Sequence, residues 1–498
     1  MNNIWQFLSG EVPGGFALPL VALIVFFPIL EYIYRTGETM SRRLYLRWRW
    51  IGPVLILIIY ALIWIQSPPK TNPVRVALIT TEQNSAADWR YTGLQDLIVR
   101  RLANSLPDAM VNPWRGNSGE YDEPAREMLD RAGYKLYQLQ FGLSETSQSF
   151  RVSAIRDDRE IAAWDGDGRQ LINASELLCE AILADLGKSQ KPKQAFSHDV
   201  TLGTLQHFYT GITVLDGQRP NAARQYFEKA LIADSTFLQA KIWRGISLEK
   251  AGEKSEAALQ FIAAMQDRSA DTEIMLMAGE FFLRIKEWDK AEPPLKLALT
   301  RNPACIRASY GLCQLHPERL LDLRLNTMDL LLGEAVRLDP AFEAARLRLI
   351  DEVYKVKGSD AARLIVSAGL KINPESIPLM LKLGAMELYC GRPDKAKEAY
   401  EKIYTVDPQN AAAAFNIGVV DYRSDHRTDA EEHFNRSLSY GGNVDNYYYL
   451  GLIYRDQGKV EKAIGFFEKR WELRKSDEDP YAVKAKEYAE VLKRQSGS

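Results

Sequence analysis

Two long apolar stretches stand at the start of the chain. Residues 14–34 and 50–66 contain one side chain that is charged at neutral pH, Glu31. Each stretch approaches the length of about 17 residues that a helix needs to cross a bilayer. The intervening residues 35–49 carry five arginines against one acidic residue, and no Lys or Arg precedes the first stretch. The positive-inside rule therefore predicts two transmembrane helices, a cytoplasmic Arg-rich loop and both termini on the periplasmic side.

Two other interpretations of this hairpin fit the residues less well. A cleaved signal peptide has positive charge before its apolar run and small residues after it, and neither is present. A buried hairpin of a soluble protein would have to cover the five arginines. We therefore expect residues 1–67 to anchor a multi-pass protein in a bacterial inner membrane.

Short apolar runs alternate with amphipathic segments after a proline-rich connection at residues 67–73. Strand-like runs fall at 74–80, 109–111, 134–141, 149–155 and 160–164, and helical spacing falls at 93–106, 124–132 and 171–186. The alternation predicts a small α/β domain over residues 74–187. The segments VRVALIT, YTGLQDLIVRRL, AREMLDRAGYKLYQLQFGLSE and FRVSAIRDDREIAAW resemble the N-terminal domain of TolB. That resemblance implies an accessory domain that contacts protein or glycan without catalysis.

A polar linker at 188–200 precedes a repeat with a period of 34 residues. Its markers are a glycine, an alanine twelve residues later, an aromatic four residues further on, and a closing proline. The glycines are Gly211, Gly245, Gly279, Gly384, Gly418 and Gly451. The units AKIWRGISLEKAGEKSEAALQFIAAM and YYYLGLIYRDQGKVEKAIGFFEKR resemble the tetratricopeptide repeat. We expect eight such units over 201–476 and a capping helix over 477–495.

The fourth unit departs from this pattern. An insertion of about three residues lies near positions 313–320, where His316 and Pro317 interrupt the turn between the two helices. It is interpreted as a tolerated loop extension, with a kinked superhelix or a local binding loop as alternatives.

The tetratricopeptide resemblance implies a concave surface lined by the first helix of each unit. With the glycine as the eighth position, the side chains at the second, fifth, ninth and twelfth positions face inward. The candidate partner-binding residues at these positions are Gln239, Glu249, Glu273, Glu280, Phe415, Tyr422, Tyr448 and Arg455. Aromatic and Arg side chains near the C-terminus favour a protein-binding surface there. The Lys/Asn clamp for a terminal carboxylate is absent, because Asn416 has Val419 as its inward neighbour.

Charge and chemistry narrow the function further. The chain has 63 Lys and Arg against 65 Asp and Glu, a net charge of −2, which argues against a dedicated nucleic-acid binder. Its 4 cysteines include no Cys-x-x-Cys pair, and its 5 histidines show no metal-ligand spacing. Nucleophile, phosphate-loop and dinucleotide motifs are missing as well. We therefore expect no catalysis, no metal and no cofactor.

The expected molecule is mainly α-helical, with a membrane hairpin, a small α/β domain and a repeat solenoid. Its expected function is to bind partner proteins on the periplasmic side and help assemble an envelope complex for secretion, polysaccharide export or a surface appendage. The alternatives are an extracytoplasmic sensor that acts through a membrane partner and a glycan-binding accessory protein.

Overall fold

The computed structural model describes residues 73–82, 89–106, 110–114, 123–143, 149–167, 170–315 and 328–496. The chain divides into two compact units, 1–72 and 73–498. The predicted membrane hairpin and most of the predicted insertion lie outside the described residues. Within the ranges given above, every helix is too short or too polar to cross a bilayer.

A five-stranded mixed sheet forms the first part of the second unit. Its strands are β1 (Arg75–Glu82), β2 (Met110–Trp114), β3 (Lys135–Leu143), β4 (Ser149–Arg156) and β5 (Arg159–Asp167). Their order is β2-β1-β3-β4-β5, with β1 parallel to both neighbours and β3, β4 and β5 mutually antiparallel. Each strand overlaps an apolar run identified in the sequence.

Three helices accompany the sheet: α1 (Trp89–Ser105), α2 (Glu123–Arg131) and α3 (Leu171–Asp185). Leu94 and Ile98 of α1 and Leu178 of α3 are fully buried in one core with Tyr137 and Val152 of the sheet. Helix α2 contributes Leu129 to a separate small cluster. The sheet therefore lies between two helical layers.

Residues 202–472 contain, where the structure describes them, sixteen helices in eight antiparallel pairs, here called units 1–8. The pairs are α4 (Leu202–Asp216) with α5 (Pro220–Ala233), α6 (Leu238–Lys250) with α7 (Lys254–Met265), α8 (Thr272–Arg284) with α9 (Trp288–Arg301), α10 (Ile306–Leu312) with α11 (Met328–Leu338), α12 (Glu343–Lys357) with α13 (Ser359–Ile372), α14 (Ile377–Tyr389) with α15 (Pro393–Val406), α16 (Ala411–Arg423) with α17 (Arg427–Ser439), and α18 (Asp445–Asp456) with α19 (Val460–Glu472). Helix α20 (Pro480–Ser496) follows and packs on α19.

Repeat glycines allow the two helices of a pair to pack closely. A Cβ atom on Gly384 would lie 2.4 Å from the Tyr400 ring, and one on Gly418 would lie 2.8 Å from the Phe434 ring. Only glycine leaves room for the aromatic side chain of the second helix at these crossings. Phe434 also stacks on Tyr449 of the next unit, with 5.1 Å between ring centroids. The aromatic side chain therefore packs inside its own pair and against the following one.

Helix boundaries follow from capping residues and prolines. Asp271, Ser376 and Asn410 each accept a hydrogen bond from the backbone N–H three residues further on, at the start of α8, α14 and α16. The closing prolines lie two residues beyond the ends of α9, α11, α13 and α15, where a helix cannot continue. These signals set the length of each helix pair.

The fourth unit is irregular in the structure too. Its first helix, α10, has 7 residues, whereas α8 has 13 and α12 has 15. The nearest atoms to a Cβ on Gly311 would be those of Leu295 and Leu283 of the preceding unit. Gly311 therefore packs on unit 3, while Leu312 and Leu332 keep the described part of unit 4 in the core that runs through units 2–6.

The segment predicted as a linker is packed against the α/β domain. The Lys193 backbone N–H donates to the Ser105 hydroxyl at 2.9 Å, and the Asn104 side chain donates to the Gln194 carbonyl at 2.8 Å. Phe196 is 7% exposed, in the core that also holds α1 and Phe208 of unit 1. Residues 188–200 therefore join the α/β domain and the solenoid into one body instead of separating them.

Candidate protein-binding surface

Successive first helices are tied together by side chains that recur along the solenoid. Glu249 of α6 accepts hydrogen bonds of 2.8 and 2.6 Å from Arg284 of α8. Glu280 of α8 accepts hydrogen bonds of 2.9 and 2.5 Å from Arg307 of α10. Glu249 and Glu280, both predicted as partner-binding residues, therefore form ion pairs between units of the solenoid.

The side chains of Gln239 and Glu273 also form polar contacts within the chain. Gln239 is 4% exposed and donates to the Asp271 carboxylate at 3.3 Å. Glu273 binds Arg100 of α1, with 3.2 Å between Arg100 Nη2 and Glu273 Oε1. Burial raises the pKa of the Glu273 carboxyl, and the Arg100 charge opposes that effect. The first-helix face of units 1–3 therefore serves internal contacts.

Four predicted residues lie in units 7 and 8. The Tyr422 hydroxyl donates to Asp456 at 3.4 Å, and the Arg427 guanidinium lies 4.3 Å from the centroid of the Tyr422 ring. Arg455 also binds Asp456, at 2.7 Å. Phe415 is half-buried, with its ring centroid 5.8 Å from that of Tyr449. Tyr422, Phe415 and Arg455 thus remain partly accessible around one aromatic cluster.

Tyr448 differs from this expectation, because its side chain belongs to the core. It is 8% exposed and contacts Phe467, Tyr481 and Tyr488, the last two from α20. Burial raises the pKa of Tyr448 to about 12. Tyr448 therefore fixes the capping helix and offers no surface to a partner in this structure.

Units 5–7 contain accessible apolar side chains that are not among the residues predicted from the sequence. Tyr354 of α12 is 39% exposed and Tyr389 of α14 is 72% exposed, with 6.5 Å between their ring centroids. Both are large aromatics at the C-terminal ends of neighbouring first helices. We name as the unit 5–7 surface seven accessible apolar residues of these first helices, Leu347, Tyr354, Leu381, Leu388, Tyr389, Phe415 and Tyr422. Applying the inward positions to units 5 and 6 would have identified Leu347, Tyr354, Leu381 and Leu388.

One cation beside Tyr422 forms no ion pair within the described residues. Arg423, the last residue of α16, is exposed, and its side chain has no hydrogen bond or ion pair with any other described residue. Exposed apolar side chains next to an unpaired guanidinium are typical of protein-binding surfaces.

An ionic group around a buried aspartate connects units 6 and 7. Asp421 is 1% exposed, binds Lys397 at 2.8 Å, and has an oxygen 3.5 Å from His433 Nε2. Burial lowers the pKa of His433; Asp421 and Glu432 oppose this shift, and Arg436 and Lys397 add to it.

Acidification is expected to destabilise unit 7 through His433. Because the folded-state pKa is lowered, the unfolded chain binds the proton first, so stability falls as pH drops from about 7 toward the folded-state pKa. His433→Gln should flatten this dependence in hydrogen exchange of α16 and α17, and His426→Gln, at an exposed position of the same unit, should not. An unchanged pH dependence in His433→Gln would contradict the assignment.

The α/β domain contains a cavity of about 390 Å³ between α2, β3 and the β4–β5 turn. Its lining carries both signs of charge, including Arg126, Lys135, Asp130 and Asp158, with Tyr134 in the wall. No sequence motif marked this cavity, since its residues come from separate elements. Among the described residues, no group of three His, Cys, Asp or Glu side chains is arranged to hold a metal ion.

Stacked, antiparallel helix pairs with glycine–aromatic crossings define a helical-repeat protein. Tetratricopeptide-repeat family models match residues 210–272, 377–410 and 445–469. The repeats of this chain are therefore tetratricopeptide repeats, as the sequence predicted.

Individual relatives share parts of the chain. Human protein O-mannosyl-transferase TMTC3 is 23% identical over 202 residues, which are 40% of this chain and 20% of that protein. This chain thus spans about a fifth of that relative. The structure of the APC/C Cut9–Hcn1 hetero-tetramer matches 58% of this chain and 55% of its own at 14% identity and a TM-score of 0.38. The crystal structure of MamA matches 34% of this chain and 91% of its own at 24% identity and a TM-score of 0.29.

Proposed function

We propose that this chain is a non-catalytic scaffold, anchored in a bacterial inner membrane, that binds partner proteins on the periplasmic side. The tetratricopeptide repeats support a protein-interaction role. Membrane attachment is inferred from the apolar stretches 14–34 and 50–66, and the periplasmic orientation from the arginines between them. An envelope assembly for secretion, polysaccharide export or a surface appendage is the setting that this topology favours.

The observation that carries the binding role is the unit 5–7 surface. Tyr389 exposes 72% of its surface beside Tyr354, and Arg423, which follows Tyr422 in α16, forms no ion pair among the described residues. Large rigid aromatics bury area at low entropic cost when a partner docks. In units 1–3, by contrast, Glu249, Glu273 and Glu280 are satisfied within the chain.

A substitution experiment tests this role. In full-length protein cross-linked in its native membranes, Tyr354→Ala with Tyr389→Ala should reduce recovery of the partner about tenfold, the loss of two aromatic anchors. Leu364→Ala, at a 65% exposed leucine on the second helix of unit 5, should leave recovery unchanged. Unchanged recovery with the double variant would contradict the proposal, as would equal loss with Leu364→Ala.

A sensor role is the second candidate, and the cavity of the α/β domain favours it. The cavity has the size of a small-molecule site and side chains of both charges. If the protein is a sensor, adding its small-molecule ligand should slow hydrogen exchange at residues 123–167. Cross-linking in membranes should then capture no partner protein. Capture of a soluble glycan alone would instead support a glycan-binding accessory.

A further inference from the structure

Helix α1 of the α/β domain packs on α4, the first helix of unit 1. The Tyr209 ring of α4 lies against Gly93, and its hydroxyl donates to Asp96 at 2.9 Å. Arg100 pairs with Glu273 at the start of α8, the first helix of unit 3. Gly93, Asp96 and Arg100 are spaced i, i+3 and i+7, so they form one face of α1. The chain therefore contains one example of a helix docked on its own first helices.

The second and fifth positions of the first helices are more buried in units 1–3 than in units 5–7, counted from the glycine, or Ile350 in unit 5, as the eighth. At the second position Leu205 and Gln239 are buried. In units 5–7 that position is exposed, at Ala344, Pro378 and Ala412. The fifth position is buried at Phe208, Ile242 and Leu276 and partly exposed at Leu347, Leu381 and Phe415. The first-helix face of units 5–7 is therefore more accessible than that of units 1–3, on which the α/β domain lies.

The unit 5–7 surface has two rows of large side chains with smaller side chains between them. The rows are the fifth position, Leu347, Leu381 and Phe415, and the twelfth position, Tyr354, Leu388 and Tyr422. Seven residues of helix separate the rows, a distance of about 10 Å. Ala385 and Val419, at the ninth position of units 6 and 7, lie between the rows. We call the space between the rows the trough; an α-helix with its side chains is about 10 Å across, so a helix lying along the trough would contact both rows.

The chemistry of the trough favours a helix over an extended peptide. Among the six side chains at the fifth, ninth and twelfth positions of units 6 and 7, the Tyr422 hydroxyl is the one polar group, and it donates to Asp456 at 3.4 Å. An extended peptide would place its backbone N–H and C=O groups on apolar side chains that offer no hydrogen bonds. A helix satisfies those groups internally and presents apolar side chains at i, i+3, i+4 and i+7.

Arg423 gives one edge of the trough a positive charge. It follows Tyr422 as the last residue of α16, is exposed, and forms no ion pair with another described residue. An acidic side chain on the bound segment would supply the carboxylate that Arg423 lacks.

We propose that the unit 5–7 surface binds an amphipathic α-helix of a partner protein. The apolar face of that helix lies in the trough, and an acidic residue on its flank pairs with Arg423. This inference rests on the proposed function and names the kind of segment that the surface takes.

Two photo-crosslinking positions measure the conformation of the bound segment. Tyr354→benzoylphenylalanine and Tyr422→benzoylphenylalanine are made separately in the full-length protein, and the partner residue attached in native membranes is identified by mass spectrometry of the digested adduct. The two positions lie two units apart, about 16–20 Å if neighbouring first helices are about 8–10 Å apart. A helix covers that distance with about 11–13 residues and an extended segment with about 5–6. We therefore expect attachment sites about 11–13 residues apart in one segment of the partner.

The outcomes separate this inference from the proposed function. Attachment sites about 5–6 residues apart would overturn the helix and leave the proposed function standing, because a partner protein is still bound. Adducts to a second copy of this chain would overturn the partner helix. Adducts to lipid alone, or no protein adduct from either position, would overturn both proposals.

The charged contact has its own test in the Tyr354→benzoylphenylalanine protein. Arg423→Gln should lower the adduct yield about threefold, because one ion pair with the partner is lost. Lys395→Gln, at an exposed lysine on the second helix of unit 6, should leave the yield unchanged. Equal yields in the two variants would overturn the acidic contact.

Discussion

Replacing Arg470 with alanine is expected to lower the free energy of local unfolding of unit 8 and α20 by about 3–5 kcal/mol. Arg470 of α19 is 2% exposed and donates to Asp445 at 2.8 Å and to both oxygens of Asp479 at 2.8 Å. Asp445 begins α18, and Asp479 precedes α20. Its removal would leave two partly buried carboxylates without their cation.

Native-state hydrogen exchange of α18, α19 and α20 measures this effect where it acts. Arg474→Ala is the matched control, since Arg474 lies just after α19 and makes an exposed ion pair with Asp477. That exposed pair should contribute less than about 1 kcal/mol. The hydrogen bond from Arg470 lowers the pKa of Asp479, so the stabilisation is present above the ordinary aspartate pKa and is lost as pH falls through the lowered one. Equal effects of the two substitutions would contradict the assignment.

Two glycines of unit 8 should respond in opposite directions to the same change. A Cβ atom on Gly451 of α18 would lie 2.6 Å from the Phe467 ring, so Gly451→Ala should destabilise the unit by about 1–3 kcal/mol. Gly465 of α19 is exposed and has no atom within 4 Å of such a Cβ, so Gly465→Ala should stabilise the helix by about 0.5–1 kcal/mol.

The comparison isolates close packing from helix propensity, because both residues lie within helices of one unit. Hydrogen exchange of α18 and α19 gives both free-energy changes in one experiment. Stabilisation by Gly451→Ala would mean that the helices do not cross at that glycine.

The repeat architecture was predictable because its determinants are local and recur at a fixed spacing. Most of the glycine, alanine and proline markers act within one helix pair or its neighbour, and the described residues contain a helix pair in each of the eight units. The strands were also visible as apolar runs, although β2 begins and ends later than the predicted 109–111. The capping helix runs from Pro480 to Ser496 instead of 477–495.

The contacts between distant segments were not predictable. Arg75 and Arg100 look like ordinary surface arginines in the sequence, and only the fold brings them to Leu338 and Glu273, 263 and 173 residues away. The composition of 188–200 indicated a linker because its buried residues, Ala195, Phe196 and Val200, are few among polar ones.

The sequence predicted only some of the accessible residues of the candidate surface, because accessibility also depends on contacts between distant segments. Three consecutive tyrosines, 447–449, carry the same sequence signal, and their different burial depends on α20. Tyr354 was overlooked because unit 5 has Ile350 where other units have the marker glycine, and Tyr389 lies one residue beyond the twelfth position of unit 6. The repeat pattern therefore locates the first helices, but packing by neighbouring elements determines which of their side chains remain accessible.

The central claim is that partners dock on the first helices of units 5–7. Site-specific photo-crosslinking in native membranes tests it most directly, with Tyr389→benzoylphenylalanine compared with Leu364→benzoylphenylalanine in the full-length chain. Both positions are exposed, at 72% and 65%, one on a first helix and one on a second helix. The account predicts a discrete protein adduct from position 389 and none from 364, whereas an adduct from 364 alone would contradict it.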